Sequence, residues 1–237
     1  ETVIGLDGKN CITNIAKFCK VHNGTQETVL MIGDSHSGDF LYEFKKYAQQ
    51  NDLDALQLSM GGCSFSPLTF AVNGSECANA TKLLQKLIDE KMISKLIFVT
   101  NFYQYIELLS EDDSKENLLF ISDLFKSALS RDIDVVYFTP RPSLTMNLGR
   151  AAMANRLDEV KLQQEKYQSL VYSYLKKYLE PSGLVIYDQR NVLLNAFCVN
   201  ISVCINGMHF NRPIYRDKSH LSGYGAEFIF QDYKNFE

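Results

Sequence analysis

Five short apolar runs, each set between stretches of helical periodicity, constrain this chain more than any other feature. They are residues 28–32 (TVLMI), 55–60 (ALQLSM), 95–100 (KLIFVT), 133–138 (IDVVYF) and 184–187 (LVIY). Each has the length and apolar content of a strand. Between them, Leu41, Phe44, Tyr47 and Ala48 recur on one helical face, as do Leu83, Leu84, Leu87 and Ile88. Further helices are expected over 115–130, over 156–179 and from Gly223 onward, the last packing back on the sheet. Strands separated by helices need crossover connections, and crossovers produce a parallel sheet covered on both faces. The expected architecture is therefore α/β: a three-layer α/β/α, flavodoxin-like fold with a parallel five-stranded sheet. The chain has 237 residues, 46% of them hydrophobic and 22% charged, enough for one domain with a sizeable core. Residues 1–27 are polar and irregular and read as an N-terminal extension tethered by a disulfide rather than a strand; the domain proper spans 28–237. Residues 140–153, with Pro140, Pro142 and Gly149, form the longest loop candidate, a wall or lid beside strand ends.

Two short strings sit where such a fold places its chemistry. Gly33-Asp34-Ser35-His36 follows the first run directly, at the C-terminal end of a strand, and Asp217-Lys218-Ser219-His220 lies near the C-terminus. Serine is a poor nucleophile at its free pKa. It needs a neutral imidazole to take its proton and an acid to hold that imidazole in the right tautomer. Asp217 and His220 stand three residues apart, a spacing that puts both on one face of a turn. Ser35, His220 and Asp217 together read as a split hydrolytic triad. A strand-to-helix turn with a serine N-cap is the plain reading of the first string alone; the second string is what favours catalysis.

Acyl transfer also needs hydrogen-bond donors aimed at the developing oxyanion. The backbone N–H of Ser35, the N–H of Gly61 or Gly62 after the second run, and the side chain of Asn101 after the third are the candidates, all at strand C-termini. A simple turn at Gly61-Gly62 and a solvent-facing strand end at Asn101 are the competing readings. His36 adjoins the serine and reads as a residue supporting the reacting groups from behind or as one of the pocket rim, rather than as the base. Asp34 reads as a cap on backbone amides, and His22 and His209 as surface or loop histidines. Phe102, Tyr103 and Tyr105 suit either a sugar-stacking wall or ordinary packing.

A net charge of −4, a pI near 5.6 and the lack of any dense Lys/Arg cluster leave no footprint for nucleic acid or an anionic membrane surface. No apolar stretch approaches the roughly 18–20 residues needed to span a bilayer. A first residue other than methionine points to a removed upstream segment: a signal peptide, a membrane portion or a tag. The six cysteines fall into local pairs, Cys11 with Cys19, Cys63 with Cys77 and Cys198 with Cys204. An even count in loop-like segments favours disulfides and an oxidising compartment, although six cysteines allow fifteen pairings and buried free thiols are the alternative. Cys198, Cys204 and His209 are too loosely spaced, with no fourth ligand nearby, to argue for zinc. Asn-x-Ser/Thr triplets begin at Asn23, Asn73, Asn79 and Asn200, and matter only in a glycosylating host.

The order of Gly-Asp-Ser, a Gly, an Asn and Asp-x-x-His resembles the SGNH/GDSL hydrolases. More narrowly, Gly33-Asp34-Ser35-His36, Cys63 after the second strand, Tyr215-x-Asp217-x-x-His220-Leu221-Ser222 and Gly225 resemble the extracytoplasmic SGNH domain fused to acyltransferase-3 membrane proteins, over residues 28–230. Asn101 departs from the Gly-x-Asn-Asp of free esterases, lying in Val99-Thr100-Asn101-Phe102. The resemblance implies O-acetylation of a bacterial surface glycan such as the O-antigen of lipopolysaccharide, at the periplasmic face of the inner membrane. A membrane-embedded acyltransferase-3 domain, expected in the same full-length chain, would pass on an acetyl group whose ultimate donor is acetyl-CoA; Ser35 would carry it and a sugar hydroxyl would accept it. No cofactor or metal is expected in this domain, nor any nucleic-acid partner, and the isolated domain is expected to be monomeric. A secreted or periplasmic carbohydrate O-acetylesterase is the first alternative. A glycan-binding domain with a vestigial triad is the second.

Overall fold

The structure is a computed structural model that describes residues 18–63, 65, 74–101, 111–161, 173, 175–200, 203–204, 208–209 and 211–236. Its centre is a six-stranded sheet in the order β1-β3-β2-β4-β5-β6. The strands are β1 (Cys19–His22), β2 (Thr28–Gly33), β3 (Asp54–Ser59), β4 (Lys95–Val99), β5 (Asp134–Phe138) and β6 (Val185–Tyr187). The five parallel strands are the five expected from the apolar runs, and their 2-1-3-4-5 order is the flavodoxin-like one.

The sixth strand corrects the sequence reading of residues 1–27. Cys19–His22 runs antiparallel to β3 along the sheet edge. Only one of its residues, Val21, is buried, too weak a pattern to announce a strand. The open edge of β3 supplies the backbone partners instead, and the Lys20 ammonium pairs with the Asp54 carboxylate. Cys19 is disulfide-bonded, while the expected partner Cys11 lies outside the described residues.

Helices cover both faces because the strand side chains alternate. Val29 and Met31 of β2, Ile97 and Val99 of β4, and Val136 and Phe138 of β5 point into one core. There they meet α2 (Leu41–Gln50) and the last helix, α7 (Gly223–Phe236), through Phe40, Phe44, Phe230 and Tyr233. Leu30, Ile32, Leu96, Phe98, Val135 and Tyr137 point the other way. They pack on α3 (Gly74–Asp89) and α4 (Glu111–Leu129) through Leu84, Ile88, Leu118 and Phe125.

Two expectations along the chain need amendment. The helix placed over 156–179 does not begin there: Leu157–Glu159 is a single 3₁₀ turn, Val160 is extended, and Leu175–Leu179 forms a π-helical turn. The 140–153 loop contains a short helix, α5 (Leu148–Met153), capped by the Asn147 side chain, which accepts from the N–H of Arg150. α6 (Gln189–Phe197) precedes two small antiparallel pairs, β7 (Cys198–Asn200) with β8 (Val203–Cys204) and β9 (Met208–His209) with β10 (Arg212–Pro213).

Cys63 and Cys77 form a buried disulfide that ties the turn after β3 to the start of α3. The β7–β8 register sets Cys198 opposite Cys204, and their side chains lie outside the described part. The Cys63–Cys77 bridge closes a loop of 14 residues. Replacing both cysteines with serine is expected to lower unfolding free energy by about 3 kcal/mol, because the unfolded chain regains the freedom the crosslink removes. Urea denaturation of the double variant measures this; an unchanged midpoint would show that the bridge adds nothing to stability.

Candidate active site

The site lies where β2 and β4 separate at their C-terminal ends, the point at which the helical connections depart to opposite sides of the sheet. β2 ends at Gly33, and α1 (Ser35–Gly38) starts two residues later. Asp34 is the N-cap and holds the turn from both directions. One carboxylate oxygen accepts the N–H of His36 at 2.8 Å, and the other accepts the N–H of Asn101, at the end of β4, at 2.6 Å. Asp34 is thus the amide cap that the sequence suggested, and it ties the turn carrying Ser35 to the neighbouring strand. Burial pushes its carboxyl up to about 6, against the opposing pull of these two N–H groups and of Arg141. Beneath the turn, the Ser37 hydroxyl donates to the Asp34 carbonyl at 2.8 Å and lies 2.7 Å from the Ser59 hydroxyl, while the Gln57 amide donates to the Ser37 carbonyl at 3.0 Å.

Ser35 is left exposed at the start of this short helix. Its Oγ is 2.8 Å from His220 Nε2, and His220 Nδ1 is 2.9 Å from Asp217 Oδ2. A carboxylate only accepts hydrogen bonds, so Nδ1 carries the proton and Nε2 is free to accept the one on Ser35. Ser35 and His220, 185 positions apart in the chain, are therefore joined with Asp217 in the order that base-assisted attack requires. Asp217 Oδ1 also accepts the N–H groups of Ser219 and His220, at 2.8 and 2.9 Å. Burial pulls the Asp217 carboxyl up, but these N–H groups and the imidazole outweigh it and leave Asp217 below the usual carboxylate range.

The loop carrying Asp217 and His220 is anchored on all sides. Arg216 N–H donates to the His220 carbonyl at 2.9 Å, and Tyr215 bridges to Leu221. The Tyr215 hydroxyl donates to the Pro142 carbonyl at 2.6 Å, and the Leu144 N–H to the Lys218 carbonyl at 2.7 Å. The 140–153 segment is thus a brace behind the histidine loop. α7 follows at once, its first turn close enough that a Cβ on Gly225 would sit 2.2 Å from the Ile214 carbonyl oxygen.

His36 takes the first of its two expected places, behind Ser35 and His220 rather than on the pocket rim. Its ring is buried edge-on against His220, centroids 5.0 Å apart. Burial, reinforced by the charges of Arg141, His220 and Arg216, holds its pKa well below the ordinary histidine value. It is a neutral platform at neutral pH. Gly61 and Gly62 form an exposed turn after β3, with Gly62 at φ 73°. Asn101 is buried at the end of β4. Ser35, the glycine turn and Asn101 therefore stand at the ends of three adjacent strands. Phe102, Tyr103 and Tyr105 lie outside the described residues, as does the side chain of His209. Among the described residues no cluster of metal-ligating side chains occurs, and no helix is long and apolar enough to cross a membrane.

Two residues that the sequence did not single out complete the site. Asp39, one residue past α1, has its side chain 1% exposed, and Arg141, between Pro140 and Pro142, is fully enclosed and paired with it. Asp39 also accepts the N–H of Leu221 at 2.9 Å, and Arg141 Nε donates to the Ser219 carbonyl at 3.1 Å. The available signals were the spacing of Asp39 one helical turn after Ser35 and an arginine set between prolines directly after a strand. Neither signal is specific without the fold.

Comparison with known proteins places this geometry. The chain matches the family model of the SGNH domain fused to AT3 domains over residues 7–235. A sequence comparison with curated proteins gave no match. Among solved structures, the chain is similar to the periplasmic domain of the lipopolysaccharide acetyltransferase of Salmonella ser. Paratyphi A, with 17% identity and a TM-score of 0.63 over 98% of this chain and 89% of that one. It is also similar to Est24, a carbohydrate acetylesterase from Sinorhizobium meliloti, with 11% identity and a TM-score of 0.52 over 89% and 98% of the two chains. The aryl esterase of M. smegmatis gives 9% identity and a TM-score of 0.52 over the same shares. At these identities the structural matches establish the fold, whereas the family match runs through nearly the whole chain. This protein belongs to the family of SGNH domains fused to AT3 domains.

Proposed function

We propose that this domain transfers an acetyl group through an acyl-serine intermediate to a sugar hydroxyl of a bacterial surface polysaccharide, lipopolysaccharide O-antigen or a glycan like it. The single observation that carries the reading is the hydrogen-bonded chain from exposed Ser35 through His220 to Asp217. In the first half-reaction Ser35 Oγ attacks the acetyl carbonyl carbon while its proton passes to His220 Nε2. The collapsing intermediate then expels the donor, which takes that proton. In the second half, His220 removes the proton of the incoming sugar hydroxyl. The sugar oxygen attacks the acyl carbon, and Ser35 leaves with the proton returned to it. Asp217 orients the imidazole and stabilises its charged form in both halves. The N–H of Ser35, the N–H groups of Gly61 and Gly62 and the Asn101 side chain are the donors for the oxyanion.

The donor on this reading is an acyltransferase-3 membrane domain that draws on acetyl-CoA, and the domain works as a monomer on the periplasmic side of the inner membrane. The family description and the Cys63–Cys77 disulfide, stable in an oxidising compartment, support that setting. The likeness to Est24 favours a second reading, a carbohydrate O-acetylesterase in which water replaces the sugar.

The deciding experiment supplies p-nitrophenyl acetate as donor and de-O-acetylated lipopolysaccharide glycan as acceptor, and follows acetyl on glycan against free acetate. Acetylated glycan rising with acceptor concentration supports transfer. Acetate alone at every acceptor concentration supports the esterase. Glycan binding with neither product, and with no acyl adduct on Ser35 by mass spectrometry, would leave the glycan-binding reading.

A further inference from the structure

We infer that Asp39 and Arg141 form a buried clasp that sets the distance between the nucleophile and its base, making both of them positioning residues for His220. The inference rests on the proposed acyl-transfer role of Ser35 and His220. Asp39 lies four residues after Ser35 and emerges from the same turn of chain. Its carboxylate does not face solvent: the side chain is 1% exposed, and its partners among the described residues belong to the histidine loop or its brace. Oδ2 accepts the N–H of Leu221, the residue directly after His220, and also takes the Arg141 guanidinium. Oδ1 accepts from Arg216, the residue directly before Asp217, at 3.2 Å. Arg141 in turn holds the carbonyl of Ser219, the residue directly before His220. The backbone is thus gripped on both sides of His220, and the Arg216 side chain beside Asp217 is held as well, by one ion pair rooted in the turn that carries Ser35.

That arrangement has a specific mechanical consequence. The Asp217–His220 pair is internal to its loop, its partners only three positions apart, and would survive a shift of the whole loop. The Ser35–His220 contact spans two segments remote in sequence, and nothing local enforces its 2.8 Å separation. Beside the packing of the His36 ring on His220, the clasp is a hydrogen-bonded connection between those two segments that bypasses the Ser35–His220 contact. An arginine suits the part because its planar fork can bond a carboxylate and a carbonyl together, which a lysine point charge does less well. Losing it should let His220 drift relative to Ser35, and displacements near 1 Å at such a contact can cost on the order of 100-fold in rate.

The test measures the rate at which Ser35 is labelled by a fluorophosphonate, together with kcat and KM for p-nitrophenyl acetate. The variants are Asp39→Asn, Asp39→Ala, Arg141→Ala and Arg141→Lys, all assayed well below their thermal midpoints. Expected are labelling and kcat reduced by roughly 30- to 100-fold in Asp39→Ala and Arg141→Ala, with KM within about twofold and partial recovery in Arg141→Lys. A double-mutant cycle separates positioning from general support. Asp39→Ala placed on His220→Ala should cost nothing further, because the base it positions is already gone. If Asp39→Ala fails to fold, Asp39→Asn and Arg141→Lys carry the comparison. Labelling within about threefold of wild type in folded variants, or an equal further loss on the His220→Ala background, overturns the inference. Failure of the wild type itself to be labelled would instead overturn the acyl-transfer reading of the site.

Discussion

Release of p-nitrophenol from p-nitrophenyl acetate is expected to fall by roughly four to six orders of magnitude when Ser35 becomes alanine, with folding unaffected. The magnitude follows from the geometry. Ser35 is exposed and its hydroxyl bonds His220 alone among the described residues, so removing it breaks one hydrogen bond at the surface and leaves the packed turn below it intact. Stability should change by no more than about 0.5 kcal/mol. The whole loss then falls on the chemistry: no acyl enzyme forms, and what remains is catalysis from bound-substrate positioning and oxyanion donors. His220→Ala should lose about as much, and the Ser35→Ala/His220→Ala pair no more than either, because residues acting as one unit are not additive. Asp217→Asn is expected to be milder, near 10⁴-fold, since it disturbs the tautomer and not the nucleophile. Two outcomes would contradict this picture: near-normal turnover in Ser35→Ala, or an additive loss in the double variant.

Gly33→Ala is expected to have the largest effect on folding. A Cβ at this position would lie 1.6 Å from the Val99 carbonyl oxygen and 2.7 Å from its carbon, both backbone atoms of the adjacent strand. No rotamer relieves such a contact; β2 and β4 would have to part at the centre of the sheet. The ladder there pairs Gly33 with Val99 on one side and Ser59 on the other, and the Gly33 carbonyl also accepts the N–H of Met60 at 2.9 Å. Separation would also stretch the Asp34 bond to the Asn101 N–H. A loss of at least about 4 kcal/mol is expected, beyond ordinary overpacking because the obstacle is backbone. Activity would fall with it, since Ser35 is aimed by this turn. Urea denaturation followed by circular dichroism reads the effect: either a large drop in midpoint or no folded protein. A variant within about 1 kcal/mol of wild type would show that the strands tolerate the extra atom.

The parallel sheet and the members of the Ser35–His220–Asp217 hydrogen-bonded chain were legible in the residues because both depend on local patterns. An apolar run such as residues 95–99 has to be buried on both faces, and the Gly-Asp-Ser after residues 28–32 marks a turn at a strand end whatever surrounds it. Asp217 and His220 were readable for the same reason, as partners on one turn. Cys19–His22 was not readable as a strand, since its stability comes from the vacant edge of β3 rather than from its own four residues. The helix expected from residue 156 does not start there either. Val160 is extended there, and the adjacent Lys161 carbonyl accepts the N–H of Thr145, a bond that helical periodicity does not encode.

By itself, then, the sequence determined the class of fold, the order of its parallel strands along the chain and the identity of the serine, histidine and aspartate that meet. Each of these follows from hydrophobic periodicity or from residues within one turn of each other. Only the tertiary structure decided that His36 lies buried against His220, and that Asp39 and Arg141 join the turn carrying Ser35 to the histidine loop. Those contacts join two segments at opposite ends of the chain, Asp39 and Leu221 being 182 positions apart, and burial in a shared low-dielectric interior is what turns an ordinary aspartate and arginine into a paired clasp.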